Sequence, residues 1–242
     1  VSCQNAFNDN QEFDFVINLA AETRWGQEDA VYHEGVLKLS LNCAKEAARK
    51  GIKFIELSSG QLCSSENDEI RESITNINPW TSIAKYKYKV EQELAKIPDL
   101  NFVILRPAII YGVDDKQGLT PRLTMGAIYK HLNEEMKLLW TKDLKMNTVN
   151  VLDVCRAIWF VCNRNDIASG EMFHIVDNSK STQGSITELI SDIFNIKYDY
   201  WGKTMSLVAC KTNVSELIDD INDKHMSAWS EICSKFNIKN TP

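Results

Sequence analysis

The sequence lacks the spacings that announce a metal centre or a disulfide framework. Its seven cysteines, an odd number, contain no CxxC pair, and its four histidines (His33, His131, His174, His225) stand alone, without HExxH or comparable spacing. These absences point to reduced, structural thiols in a cytoplasmic protein and to no metal site. Cys155 and Cys162, seven apart on one predicted helix, read as core packing. No apolar run approaches the roughly 18–20 residues that cross a bilayer, and no signal-peptide pattern opens the chain. Positive charge is also short: 27 Lys and Arg against 33 Asp and Glu leave a net charge of −6. Nucleic acids and anionic membranes both demand a basic face, so neither is an expected partner. The six tryptophans accordingly read as packing rather than base stacking. What is plentiful is apolar residues, 44% of 242, enough to fill one sizeable core with a small second lobe.

The apolar residues fall in a recognisable order. "FDFVINLA" (13–20) is a continuous apolar run, as in a strand buried on both faces. Residues 30–50 carry Val36, Leu39, Cys43 and Ala47 at helical spacing and meet Gly51, a helix stop. "IKFIELSSG" is a second buried strand, "TSIAKYKYKVEQEL" (81–94) a helix, and "NFVILRPAIIYG" a third strand. Strands alternating with helices at these intervals imply a parallel sheet covered on both faces. Beyond Gly112 the pattern predicts a helix over 120–138, an extended "MNTVNV" running into an apolar helix near Asp153, and a strand "EMFHIV". It also predicts a capping box at Ser185–Glu188, and a last long helix opened by Asn213 and Glu216. The stretches 64–78 and 219–225 read as solvated.

Ligands of such sheets sit beyond the carboxyl ends of the strands. Those ends are "NLAAETR", "LSSGQLC" and "LRPAIIYG", each small or polar after an apolar run. With "IAKYKYKVEQEL" and "NTVNVLDVCRAI", they occur in the order and spacing that resembles the extended short-chain dehydrogenase/reductase family. The likeness is strongest to its NAD-dependent epimerase/dehydratase branch, from about residue 12 to 195. The resemblance implies NAD or NADP as cofactor and oxidation or reduction of a hydroxyl or carbonyl on a nucleotide sugar or similar small molecule. It allows a homodimer. It places Ala20 and Ala21 along the cofactor and Pro107 beside the nicotinamide. Ser59 would bond the reacting oxygen, and Lys87 would hold the nicotinamide ribose and lower the pKa of a neighbouring tyrosine. Tyr111 and Gly112 would begin the substrate loop. Asp153 matches a residue that is structural rather than catalytic.

Two departures qualify that picture. The family's active-site helix reads YxxxK, because i and i+4 share one helical face; here Ile83 precedes Lys87 by four. Tyr86 is adjacent to Lys87, about 100° around the helix, and leaves on another face. Isoleucine has no proton to give. Gly60-Gln61 stands where dehydratases carry Asp-Glu, which argues against sugar 4,6-dehydration by the usual route. In addition, none of the ten glycines lies in a GxGxxG array, the turn that holds a dinucleotide pyrophosphate. The expected fold is therefore an α/β Rossmann-like parallel sheet, N-terminally truncated by about 70 residues, with a small C-terminal substrate lobe. Residues 1–111 and 147–176 would form the NAD(P)-binding part, and 112–146 with 177–242 the lobe. Three readings remain open: an epimerase/dehydratase-like oxidoreductase, a catalytically inactive relative serving as sensor or scaffold, and a sterol- or flavonol-type reductase. "FDFVINLA" is expected as a bare, association-prone sheet edge, and NAD(H) binding by this chain alone is expected to be weak.

Overall fold

The computed structural model describes residues 7, 12–24, 26–63, 71–72 and 77–211. It divides into two compact units, one of residues 1–120 and 147–180, the other of 121–146 and 181–242.

The first unit is built on strands β1 (Phe15–Asn18), β2 (Lys53–Leu57), β3 (Phe102–Pro107) and β7 (Glu171–Ile175). They pair in the order β1-β2-β3-β7, every pair parallel. Helix α1 (Asp29–Tyr32) continues through a π-helical segment, His33–Lys38, into α2 (Leu39–Lys50). The π segment frees the Gly35 carbonyl, which accepts the Glu22 N–H at 3.0 Å. A Cβ at position 35 would come within 2.9 Å of the Glu22 Cβ, so the loop after β1 lies directly on this turn. Gly51, at φ 66°, ends α2 as predicted. Helix α3 (Ser82–Leu94) starts where Thr81 accepts the Ala84 N–H.

Alternation along the strands then sets the layers. Phe54 and Ile104 pack with Val36, Ala44, Tyr86, Val90 and Leu94 of the helices on one face. Ile55, Val103 and Leu105 pack on the other with Val154, Ile158 and Val161 of α5 (Val151–Cys162). Helices thus cover both faces of a parallel sheet. Two short strands, β4 (Ile109–Tyr111) and β6 (Thr148–Asn150), pair beside it. Asn150 caps α5, accepting the Leu152 N–H at 2.9 Å.

The second unit holds α4 (Thr120–Leu132), β5 (Met136–Leu138), α6 (Gln183–Phe194), β8 (Tyr198–Tyr200) and α7 (Gly202–Lys211), with β5 parallel to β8. A Cβ on Gly126 would meet Ile190 at 2.5 Å and Phe194 at 2.8 Å, so α4 packs on α6 through a glycine.

Several expectations are corrected here. The helix over 120–138 stops at Leu132, because Asn133 turns left-handed (φ 54°) and 136–138 becomes a strand. The capping box lies one turn earlier than Ser185–Glu188: Thr182 is the cap, and Ser185 is its reciprocal partner. Cys155 is exposed while Cys162 is buried, and Trp80, Trp159 and Trp201 are exposed rather than packed. Asn213, Glu216 and residues 219–225 lie outside the described residues, as does most of 64–78. Among the described residues no helix is long and apolar enough to cross a membrane.

Candidate functional site

The carboxyl ends of β1, β2 and β3 carry most of the residues singled out from the sequence. Ala20 is exposed and Ala21 half-buried just beyond β1. After β2 the chain enters a tight turn, Gly60–Leu62, whose start is Ser59: its Oγ accepts the Gln61 N–H at 3.1 Å. A Cβ on Gly60 would come within 2.9 Å of the Pro107 carbonyl oxygen. The missing side chain therefore lets the Ser59 turn lie against the end of β3, where Pro107 is buried. Tyr111 ends β4, and Gly112 follows at φ 145°, where a Cβ would strike Val151 at 2.7 Å. The structure thus brings Ser59 and Pro107 together at the rim of the main sheet. Tyr111 and Gly112 sit on the neighbouring β4–β6 pair. Asp153 is exposed in the first turn of α5 and bonded to Arg156 at 2.7 Å, a structural role at the positive end of a helix.

Helix α3 carries the decisive positions. Ile83 packs against the apolar cluster that contains Tyr32 and Val90. Tyr86 is buried, its ring 6.1 Å from that of Tyr32, and its hydroxyl donates to Asp29 Oδ2 at 2.5 Å. The Asp29 carboxylate, together with burial, pushes the Tyr86 phenol above its ordinary range. That phenol is committed to α1. Lys87 lies on another face of the helix. Its Nζ donates to Glu56 Oε1 at 2.9 Å and to the Leu57 carbonyl at 2.6 Å.

Glu56 was not foreseen as a site residue. It is fully buried near the carboxyl end of β2 and also accepts from Asn18 Nδ2 at 2.6 Å and from Ser40 Oγ at 3.4 Å. A charged residue inside the apolar run "KFIEL" is itself a signal, since carboxylates are almost never fully buried without a partner. A second buried pair lies alongside. Arg106 donates to Glu91 through Nε (2.9 Å) and Nη2 (2.5 Å), and Ser58 Oγ donates to the same carboxylate at 2.5 Å. Cys63 Sγ lies 3.7 Å from Arg106 Nη1 and 3.9 Å from His174 Nε2. Burial pushes its thiol up, with Arg106 opposing.

Residues 1–175 match the model of the NAD dependent epimerase/dehydratase family. The chain belongs to this family. Among solved structures, this epimerase/dehydratase-family chain is similar to UDP-glucose 4-epimerase with UDP-glucose from Thermotoga maritima (21% identity, 79% of this chain and 65% of that one, TM-score 0.61). It is also similar to UDP-glucuronic acid 4-epimerase from Bacillus cereus in complex with UDP-glucuronic acid and NAD (14%, 78% and 63%, 0.65). A third is RMD from Pseudomonas aeruginosa complexed with NADPH (19%, 77% and 69%, 0.62). At these identities the likeness is one of fold, and the chain spans about two thirds of the length of these proteins. No curated protein sequence matches it.

Proposed function

We propose that this protein is an NAD(P)-binding member of its family that recognises a nucleotide sugar or a similar small molecule without tyrosine-driven proton transfer. The observation that carries this reading is the state of α3. Where the resemblance expects the proton donor stands Ile83, half-buried against the core, and the neighbouring phenol, Tyr86, is spent on Asp29. General acid–base work needs a group within hydrogen-bond reach of the reacting oxygen. The unit of 1–120 and 147–180 is the dinucleotide part in this reading, and the other unit is the substrate lobe. Ala20, Ala21 and Pro107 would line the cofactor, Ser59 and Lys87 its reacting end, and Tyr111 and Gly112 the substrate.

A second reading, an active epimerase, dehydratase or reductase, is supported by the family match itself and by the presence of a serine just after β2 (Ser59) and a lysine on α3 (Lys87). The two separate in one experiment on the full-length protein: calorimetry with NAD(H), NADP(H) and UDP-sugars, then turnover of bound nicotinamide with the same sugars. Saturable binding with no turnover is expected. Steady-state turnover would establish the active enzyme, and no binding of either dinucleotide would remove both readings.

A further inference from the structure

We propose that Glu56 is an internal counter-ion that neutralises Lys87, so that the helix would not activate a phenol at position 83 even if one were present. The proposal rests on the reading that the site works without tyrosine-driven proton transfer, and it supplies a second, independent reason for that loss.

A lysine activates a phenol at i−4 because its uncompensated positive charge favours the phenolate. Here the charge is compensated at 2.9 Å by a carboxylate with no exposure to solvent. Seen from the face of α3 occupied by Ile83, the pair acts as a dipole, whose field falls off faster than that of a lone ammonium. Besides Lys87, two further groups hold the carboxylate in place, and they brace each other. Asn18 Nδ2 donates to Oε2, Ser40 Oγ lies 3.4 Å from Oε1, and Asn18 and Ser40 are themselves bonded at 2.9 Å. All three groups are buried, so water does not compete for them.

Among the described residues, no other buried charge packed against α3 leaves a free cation near position 83. Arg106 is bonded through two nitrogens to Glu91, and Asp29 accepts from Tyr86. His33 meets the Tyr86 ring edge-on at 6.4 Å, and Lys89 sits 4.2 Å over the same ring. Lys85 is exposed. Ile83 and Glu56 are thus coupled features: one removes the proton donor, the other removes the field that would tune it.

The test titrates an introduced phenol by NMR in three full-length variants: Ile83→Tyr, Ile83→Tyr with Glu56→Gln, and Ile83→Tyr with Ser40→Ala. In the first, the new phenol is expected to ionise at about pH 10 or above, as an ordinary tyrosine does. In the second it should ionise about 1–3 pH units lower, the effect of an unopposed cation within reach. The Ser40 variant loosens the same network without changing charge and should match the first. Equal titration with and without Glu56, an equal fall in the Ser40 variant, or a depressed phenol in Ile83→Tyr alone would each overturn the proposal. If the Glu56 variant does not fold, the single variant still decides. Dinucleotide binding is read separately by calorimetry, so failure here is distinguishable from failure of the functional reading.

Discussion

At the scale of single residues, the chain repeatedly places a charged group inside the fold and satisfies it completely. Lys53 lies among buried strand residues because its Nζ donates to the carbonyls of Val161 and Arg164, at 2.8 and 2.7 Å, at and just beyond the end of α5. Asp115 does the converse in the loop after β4. Burial works to raise its pKa, but the backbone N–H groups of Gly118, Thr120, Leu119 and Gln117 outweigh it and hold the carboxyl below the usual range. The loop has no room to rearrange, since a Cβ on Gly118 would lie 1.9 Å from the Ile110 carbonyl. Asp115→Asn, which turns an NH2 toward two of those N–H donors, is expected to cost about 1–3 kcal/mol in urea unfolding at neutral pH. The sign of the pH effect follows from the depressed pKa. The contribution is fully present above the unfolded value of about 3.9 and is lost as pH falls through the lower folded value. The cost of the substitution should therefore shrink on acidification; a cost that grew would contradict this account.

At the scale of elements, caps and glycines set where segments stop. Thr182 accepts the Ser185 N–H at 3.1 Å, and Ser185 Oγ accepts the Thr182 N–H at 3.0 Å, a reciprocal box that ties both orphan groups at the start of α6. Thr182→Ala should destabilise the fold by about 1 kcal/mol, whereas Glu188→Ala, which removes the partner expected from the pattern S-x-x-E, should change thermal stability little. The reverse ranking would restore the box at Ser185. The reason the pattern misled is physical: Ser185 can act as a cap or as a partner, and only the backbone turn at Thr182, with its extended φ of −121° and ψ of 166°, chooses between them.

At the scale of the whole molecule, β1 is one of the two edge strands of the main sheet among the described residues, as expected for "FDFVINLA". Ile17 in it, and Phe13 and Leu19 on either side of it, are exposed. An apolar strand with open backbone groups is a template for further pairing, and charge is what blunts such edges. Ile17→Lys is expected to reduce concentration-dependent association in light scattering while shifting the unfolding free energy by no more than about 1 kcal/mol. Unchanged association would mean that the edge is not the adhesive surface.

How much of this was legible in the residues depends on the range of the interaction concerned. Local signals carried far: the stop at Gly51 and the apolar runs of β2 and β3 follow from neighbours a few positions apart. The helix face that leaves Tyr86 unable to replace Ile83 also follows from the 3.6-residue period alone. By contrast, β5 was hidden because its partner, β8, lies about 60 residues away, and an extended segment of three residues has no periodicity of its own. The sequence alone thus determined the alternation of strand and helix, the family, and the isoleucine four residues before Lys87, all of which reside in composition and short spacing. Only tertiary structure decided that Lys87 is neutralised, because Glu56 is 31 residues away and Asn18 is 38 residues further back. Those contacts exist only once parallel pairing brings two strand ends and one helix together in a place without water.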